Sequence, residues 1–472
     1  MKILSGISSG MVLQRSGDIC DIRFTADTAG SVRSSLGSVK DLGNGFFSLS
    51  GIPTGGPYEL TLSDDTGDLV FSDLYVGDVW ILAGQSNMTG VACRRKEDFA
   101  YDENPIPAVR ACYLDDSWSV AHCFLHQQWM NKDEGIRQRY YETHQGNLKY
   151  YGCFTVEGTS GIGPGIYIGR RMYELTGIPQ GLIPCAFGGT NLGEWSPDNH
   201  SSFSMYDSML RRFRECGSHV AGVFWYQGEA QSSPEHAASF IADMQKLISA
   251  MRRDFGDSAL PFVQAQIAVS HTAHGYEDTK MIYWHKIREL QRVLPEVIPG
   301  CYTVSTANAT FEDSIHIDAR TQEMTGRIMA EQMYLHFTGK GTLIPSIEDI
   351  SVIPHPYKYN MSLIRIKYGN LIGSLCSDGQ PSGFSVTVGD AVPFHQPHRN
   401  VGSVRIEGDT VYLSIENAFV NVDEAYLWYG AGPNIVCTLL DEGGRALPAF
   451  GPVKITGTQE KADYDPNEFI FA

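Results

Sequence analysis

The sequence predicts an α/β fold: a parallel sheet with helices on both faces, flanked by N- and C-terminal β-sandwich domains. Three observations predict it. Residues 76–340 alternate short apolar strands with amphipathic helices. Those strands, such as 79–83 and 220–226, are apolar throughout, as expected of strands buried on both faces. Residues 1–75 and 341–472 instead carry short β-like segments broken by Gly, Asp, Ser and Pro. A chain of 472 residues has length for roughly two to four domains, and these boundaries give three.

In the first domain, residues 19–24, 46–49, 58–62 and 69–74 read as strands. In the second, strands at 78–83, 181–187, 220–226, 261–268 and 302–305 alternate with helices at 165–176, 204–215, 237–255, 280–293 and 319–337. Residues 92–160 interrupt the alternation. This segment is rich in aromatic and charged residues, among them Arg94, Arg95, Trp118, Trp129, Tyr140, Tyr150 and Tyr151. It reads either as a lid over the active edge or as a helical decoration with its own core. Beyond Gly341, residues 362–368, 383–388, 401–407, 410–415 and 425–429 read as strands, with Gly408-Asp409 as a hairpin turn. The tail from 456 is polar, with the composition of a disordered segment.

The formal charge is −18, with no basic stripe. That argues against nucleic acid and against anionic membrane surfaces as partners. Ten cysteines are scattered without a C-x-x-C pair. Together with an N-terminus that lacks a long apolar run, they read as free, mostly buried thiols of a cytoplasmic protein. A secreted chain already trimmed of its leader gives the same pattern. His122 and His126, four apart, lack a third partner for a metal, so no metal and no cofactor are expected.

Three strand ends and one loop carry chemistry. Asp78 to Ala83 stops at Gly84-Gln85-Ser86-Asn87-Met88. Gly84 permits a sharp turn at the edge where open α/β sheets place their sites. Ser86 there is either a helix N-cap or a nucleophile. Met88 stands where a G-x-S-x-G elbow has its second glycine. Asp313 precedes His316 by three residues, a spacing that lets one turn present carboxylate and imidazole together. Asp318 competes as orienter, but its place before the 319–337 helix suits an N-cap. Gly188-Gly189 and Gln227-Gly228-Glu229 each follow a buried strand. Either block reads as an ordinary turn or as a source of oxyanion donors. Gly161-x-Gly163-x-Gly165 lacks the spacing of a dinucleotide loop.

Taken in order, Gly-Gln-Ser-Asn-Met, the Ala186–Trp195 block, Trp225-Tyr226-Gln227-Gly228-Glu229 and Asp313-x-x-His316 resemble the SGNH hydrolases. The nearest branch is the sialate O-acetylesterase-like one. The resemblance extends to Gly10-Met11-Val12-Leu13-Gln14-Arg15 and to Gly161–Gly165. It departs at Ile317, where Pro is usual, and at Ala230-Gln231. It implies a flavodoxin-like sheet and a carbohydrate O-acetylesterase without a cofactor, acting on an acetylated sugar or oligosaccharide. Ser86 would be the nucleophile, His316 the base and Asp313 its orienter. The oxyanion would be held by the backbone N–H of Ser86, that of Gly188 or Gly189, and the Gln227 side chain. Glu229 and Trp195 would contact substrate, and Arg94 and Arg95 would read the carboxylate of a sialic acid. The alternatives are an acetylxylan or other hemicellulose esterase, a non-catalytic glycan-binding protein, and a lipase or thioesterase.

Overall fold

The structure is a computed structural model that describes residues 1–28, 30–144, 161–271, 278–389, 400–420, 424–432 and 434–455. Tyr150, Tyr151 and the tail from 456 lie outside the described residues.

The parallel strands, numbered in chain order, are β1 (Gly67–Gly84), β2 (Val109–Cys112), β3 (Gln180–Pro184), β4 (Gly222–Tyr226), β5 (Phe262–Gln266) and β6 (Cys301–Ser305). They lie side by side as β2-β3-β1-β4-β5-β6, each pair parallel. Without the outer β2 this is the flavodoxin-like order. Successive crossovers leave β1 in opposite directions, so the switch point falls between β1 and β4. The longer helices are α1 (Glu134–His144), α2 (Gly165–Thr176), α3 (Met205–Glu215), α4 (Pro234–Phe255), α5 (Asp278–Val297) and α6 (Ala319–Thr338). α2 packs on α6, and α4 on α5. α4 starts ahead of the expected 237 because Ser233 caps it and Pro234 opens its first turn.

One strand joins two regions expected to be separate. Residues 69–74 and 79–83 belong to a single strand, β1, of 18 residues. Its first half alternates in exposure and pairs antiparallel with Gly55–Asp64. From Leu74 onward every residue is buried, and the strand becomes the centre of the parallel sheet. The expected boundary between 75 and 76 thus lies inside a strand, and one apolar core runs through both regions.

The 92–160 segment corrects a second expectation. Among its described residues it is not a helical unit with a core of its own, because it shares the core of the parallel sheet. Its strand β2 extends the parallel sheet, and Trp118–Val120 pairs antiparallel on β2's outer side. After α6 the chain forms a sandwich. One sheet has the order Ser346–Pro354, Met361–Gly369, Thr410–Glu416, Ser403–Glu407. The facing sheet has the order Phe384–Val388, Ala425–Tyr429, Phe450–Lys454. Ile364, Leu413, Val386 and Leu427 fill the space between them. Gly408-Asp409 is the two-residue turn between paired Glu407 and Thr410. Among the described residues, eight cysteines are free thiols, all buried except Cys376, but Cys93 is disulfide-bonded, which corrects the all-thiol expectation.

Candidate active site

The turn after β1 sits at the switch point because Gly84 lets two backbones meet. Its φ is +135°, and a Cβ there would lie 2.1 Å from the Tyr226 carbonyl oxygen. Gln85 N–H donates to that same oxygen at 2.8 Å. The Gln85 side-chain oxygen accepts from Gly228 N–H and Ala230 N–H at 3.4 and 3.3 Å, tying the ends of β1 and β4 together. Ser86 then opens a one-turn helix, partly exposed, so its N–H has no partner within the helix. The Gly161–Gly165 run explains itself here: a Cβ at Gly163 would lie 2.6 Å from the Met88 carbonyl oxygen. These glycines seat a neighbouring chain segment against the Ser86 turn.

The loop between β6 and α6 brings an imidazole to Ser86. The Asp313 Oδ2 accepts from His316 Nδ1–H at 2.6 Å. That assigns the proton to Nδ1, so His316 Nε2 accepts from the Ser86 hydroxyl, 2.9 Å away. Asp313 Oδ1 accepts from the backbone N–H groups of Ile315 and His316, both at 2.8 Å. Partial burial opposes ionisation of Asp313, but the imidazole and the two N–H donors outweigh it and hold its pKa at about 2. Asp318 instead caps α6, accepting from Thr321 N–H at 2.8 Å. A hydroxyl, an imidazole and a carboxylate in one hydrogen-bonded line can draw the proton from the hydroxyl.

A buried residue that the motif contains but the sequence reading passed over fixes this geometry. Asn87 Oδ1 accepts from Ile317 N–H at 3.1 Å, and Asn87 Nδ2 donates to the Ile315 carbonyl at 3.3 Å. It thereby grips the loop on both sides of His316. The same Nδ2 donates to Glu229 Oε1 at 2.7 Å. Glu229 is buried, and burial pushes its carboxyl above the ordinary range, with the Asn87 bond opposing. It sits beneath the site as a support for Asn87. The expectation that it touches sugar hydroxyls is corrected.

Three further expectations are corrected. Gln227 is fully buried, and its amide nitrogen donates to the Thr190 carbonyl and to Gln231 Oε1, both at 3.2 Å. Leu192 N–H, donating to Gln231 Oε1 at 3.0 Å, fixes that acceptor. Both Gln227 hydrogens are therefore committed, and none is left for an oxyanion. Trp195 is buried against Trp225 with ring centroids 5.0 Å apart and donates to Thr190 Oγ1 at 3.0 Å. It is core and offers no face to a substrate. Arg95 donates to Asp98 Oδ1 at 2.7 Å and to Glu323 Oε2 at 2.8 Å, and Arg94 is paired with Asp102 and lies over Phe124. Neither arginine is free to read a carboxylate.

What remains beside Ser86 is backbone. Gly188 and Gly189 are exposed, and a Cβ at Gly188 would lie 3.7 Å from the Ser86 Cβ. Among the described residues, the N–H groups of Ser86, Gly188 and Gly189 have no acceptor. The two histidines weighed as metal ligands are used otherwise. His122 Nδ1 lies 3.5 Å from Asp102, which raises its pKa, and burial holds buried His126 at about 3.

Residues 76–335 match the family model described as carbohydrate esterase, sialic acid-specific acetylesterase. A probable carbohydrate esterase of Arabidopsis thaliana is 27% identical over 277 residues, spanning 55% of this chain and 91% of its own. A carbohydrate acetylesterase from Xanthomonas citri is similar in fold over 95% of this chain and 99% of its own, with a TM-score of 0.70 and 20% identity. That likeness takes in the flanking β regions as well as the parallel sheet.

Proposed function

This chain belongs to the carbohydrate esterase, sialic acid-specific acetylesterase family, and on that premise we propose that it hydrolyses O-acetyl esters of carbohydrates at Ser86. The observation that carries the reading is the unbroken line from Ser86 Oγ through His316 to Asp313, with spacings of 2.9 and 2.6 Å. Ser86 Oγ attacks the acetyl carbonyl as His316 Nε2 takes its proton. Asp313 keeps the imidazole in the tautomer that can accept and stabilises the cation that forms. Charge develops on the carbonyl oxygen, where the N–H groups of Ser86 and of Gly188 or Gly189 donate. The tetrahedral intermediate collapses as His316 returns the proton to the departing sugar oxygen. A water, deprotonated by His316, then attacks the acetyl-enzyme and releases acetate.

The sugar is the second question. The family name points to an O-acetylated sialic acid. The commitment of Arg94 and Arg95 to Asp102, Asp98 and Glu323 favours a neutral acetylated glycan instead. Acetate release from O-acetylated sialic acid and from acetylated xylo-oligosaccharide, assayed in parallel, separates the two. Ser86→Ala should abolish release from whichever is cleaved, by about 10⁴-fold or more. Full activity in that variant would remove Ser86 from the mechanism.

A further inference from the structure

The segment between β3 and α3 carries Gly188 at one end and Glu194, Asn199 and Phe203 further along. Helix α1 of the 92–160 segment docks on it. The approach is close because α1 has a glycine there: a Cβ at Gly135 would lie 1.8 Å from the Ser202 carbonyl oxygen. Between the two lies an open groove of about 410 Å³. Ligand clefts are typically about 300–1,000 Å³. Its lining reaches the chain beside the Ser86 site through Phe203. The Phe203 ring meets that of Phe187, the residue before Gly188, at 5.2 Å between centroids.

The lining has a definite chemistry. The Arg139 guanidinium lies over the Phe203 ring, 5.5 Å from its centroid. Arg139 is exposed and makes no ion pair among the described residues. Gln138 donates to Glu142 Oε1 at 2.8 Å, and Asn191 N–H donates to Glu194 Oε2 at 2.8 Å. Each carboxylate keeps its other oxygen uncommitted among the described residues. Planar guanidinium, amide and carboxylate groups beside an aromatic ring match the alternating donors, acceptors and apolar C–H faces of a sugar ring. One cation faces two carboxylates, so the groove is net negative, on a chain of net charge −18. That field repels an anionic sugar.

Resting on the esterase reading above, we propose that this groove binds a neutral sugar residue flanking the acetylated one. The preferred substrate is then a neutral acetylated oligosaccharide rather than a free sugar. The test compares kcat/KM for acetate release from acetylated xylose, xylobiose and xylotriose with that for p-nitrophenyl acetate. Wild-type protein should gain about tenfold from monosaccharide to trisaccharide, mainly through KM. In Arg139→Ala and in Glu142→Ala, both exposed changes, the trisaccharide-to-p-nitrophenyl-acetate ratio should fall by about the same factor. A chain-length gain that is absent, or that survives both changes, overturns the proposal. A preference for an acetylated acidic oligosaccharide also overturns it. If wild-type protein cleaves p-nitrophenyl acetate at no measurable rate, the esterase reading itself fails, and the groove proposal falls with it.

Discussion

Two regions of this molecule gather polar side chains in similar density, and they differ in what is left over. Around Arg95 the charge is taken up: Asp98, Glu323 and the Tyr167 hydroxyl close on the guanidinium. Around Ser86 polar groups also bond one another, but the line ends on a hydroxyl at a partly exposed position. Asn87, Glu229, Gln85 and Asp313 are consumed in holding that end in place. The lesson is that charge density does not mark a site. A site is where a rigid network leaves a reactive atom and unpaired donors facing solvent.

Substitutions test this contrast from its strong side to its weak one. Asp313→Asn retains the shape but frees His316 to adopt the other tautomer, and kcat for acetate release should fall about 10³–10⁴-fold. A rate within tenfold of wild type would break the contrast at its centre. Asn87→Ala leaves Ile317 N–H and Glu229 without their partner. It should lower stability by about 1–3 kcal/mol, read by denaturant melts, and lower kcat with little change in KM. Arg95→Ala strips the buried Asp98 carboxylate of its main partner and should likewise cost about 1–3 kcal/mol. Here acetate release by the folded variant should stay within about twofold. Equal losses of activity in Asn87→Ala and Arg95→Ala would erase the distinction between the two regions.

The smallest effect is electrostatic. Glu229 has its folded pKa raised by burial, so the folded state binds a proton that the unfolded state has lost. Stability should therefore decline as pH rises above the unfolded value of about 4.3. In Glu229→Gln that part of the decline should vanish, seen as a smaller fall in Tm between pH 5 and pH 8. An unchanged slope would mean that Glu229 is solvated.

The elements that sequence reading placed best are those whose signal is local. The apolar runs of β4 and β5 and the period of α6 follow from one segment's own residues. The Asp313 and His316 pair was legible because three residues of spacing suffice to bring both side chains into one turn. β1 was misread as two strands because its burial changes partway, and only the packing partners decide that nothing breaks there. Arg94, Arg95, Trp195 and Gln227 were misassigned for a shared reason. Each residue type suits a ligand, but other protein groups claim it first, distant in sequence for Arg95 (Glu323) and Gln227 (Thr190) and nearer for Arg94 (Asp102) and Trp195 (Thr190). Asn87 was missed although it stands beside Ser86, because its role lies in a loop 228 residues away.

The account turns on Ser86 being a nucleophile activated by His316. Treatment with a fluorophosphonate, followed by intact-mass and peptide mass spectrometry, reads this directly, since only an activated hydroxyl reacts readily. The prediction is a single adduct on Ser86 that forms in wild-type protein and disappears in His316→Ala. An adduct on another residue, or labelling of Ser86 at an undiminished rate without His316, would contradict it.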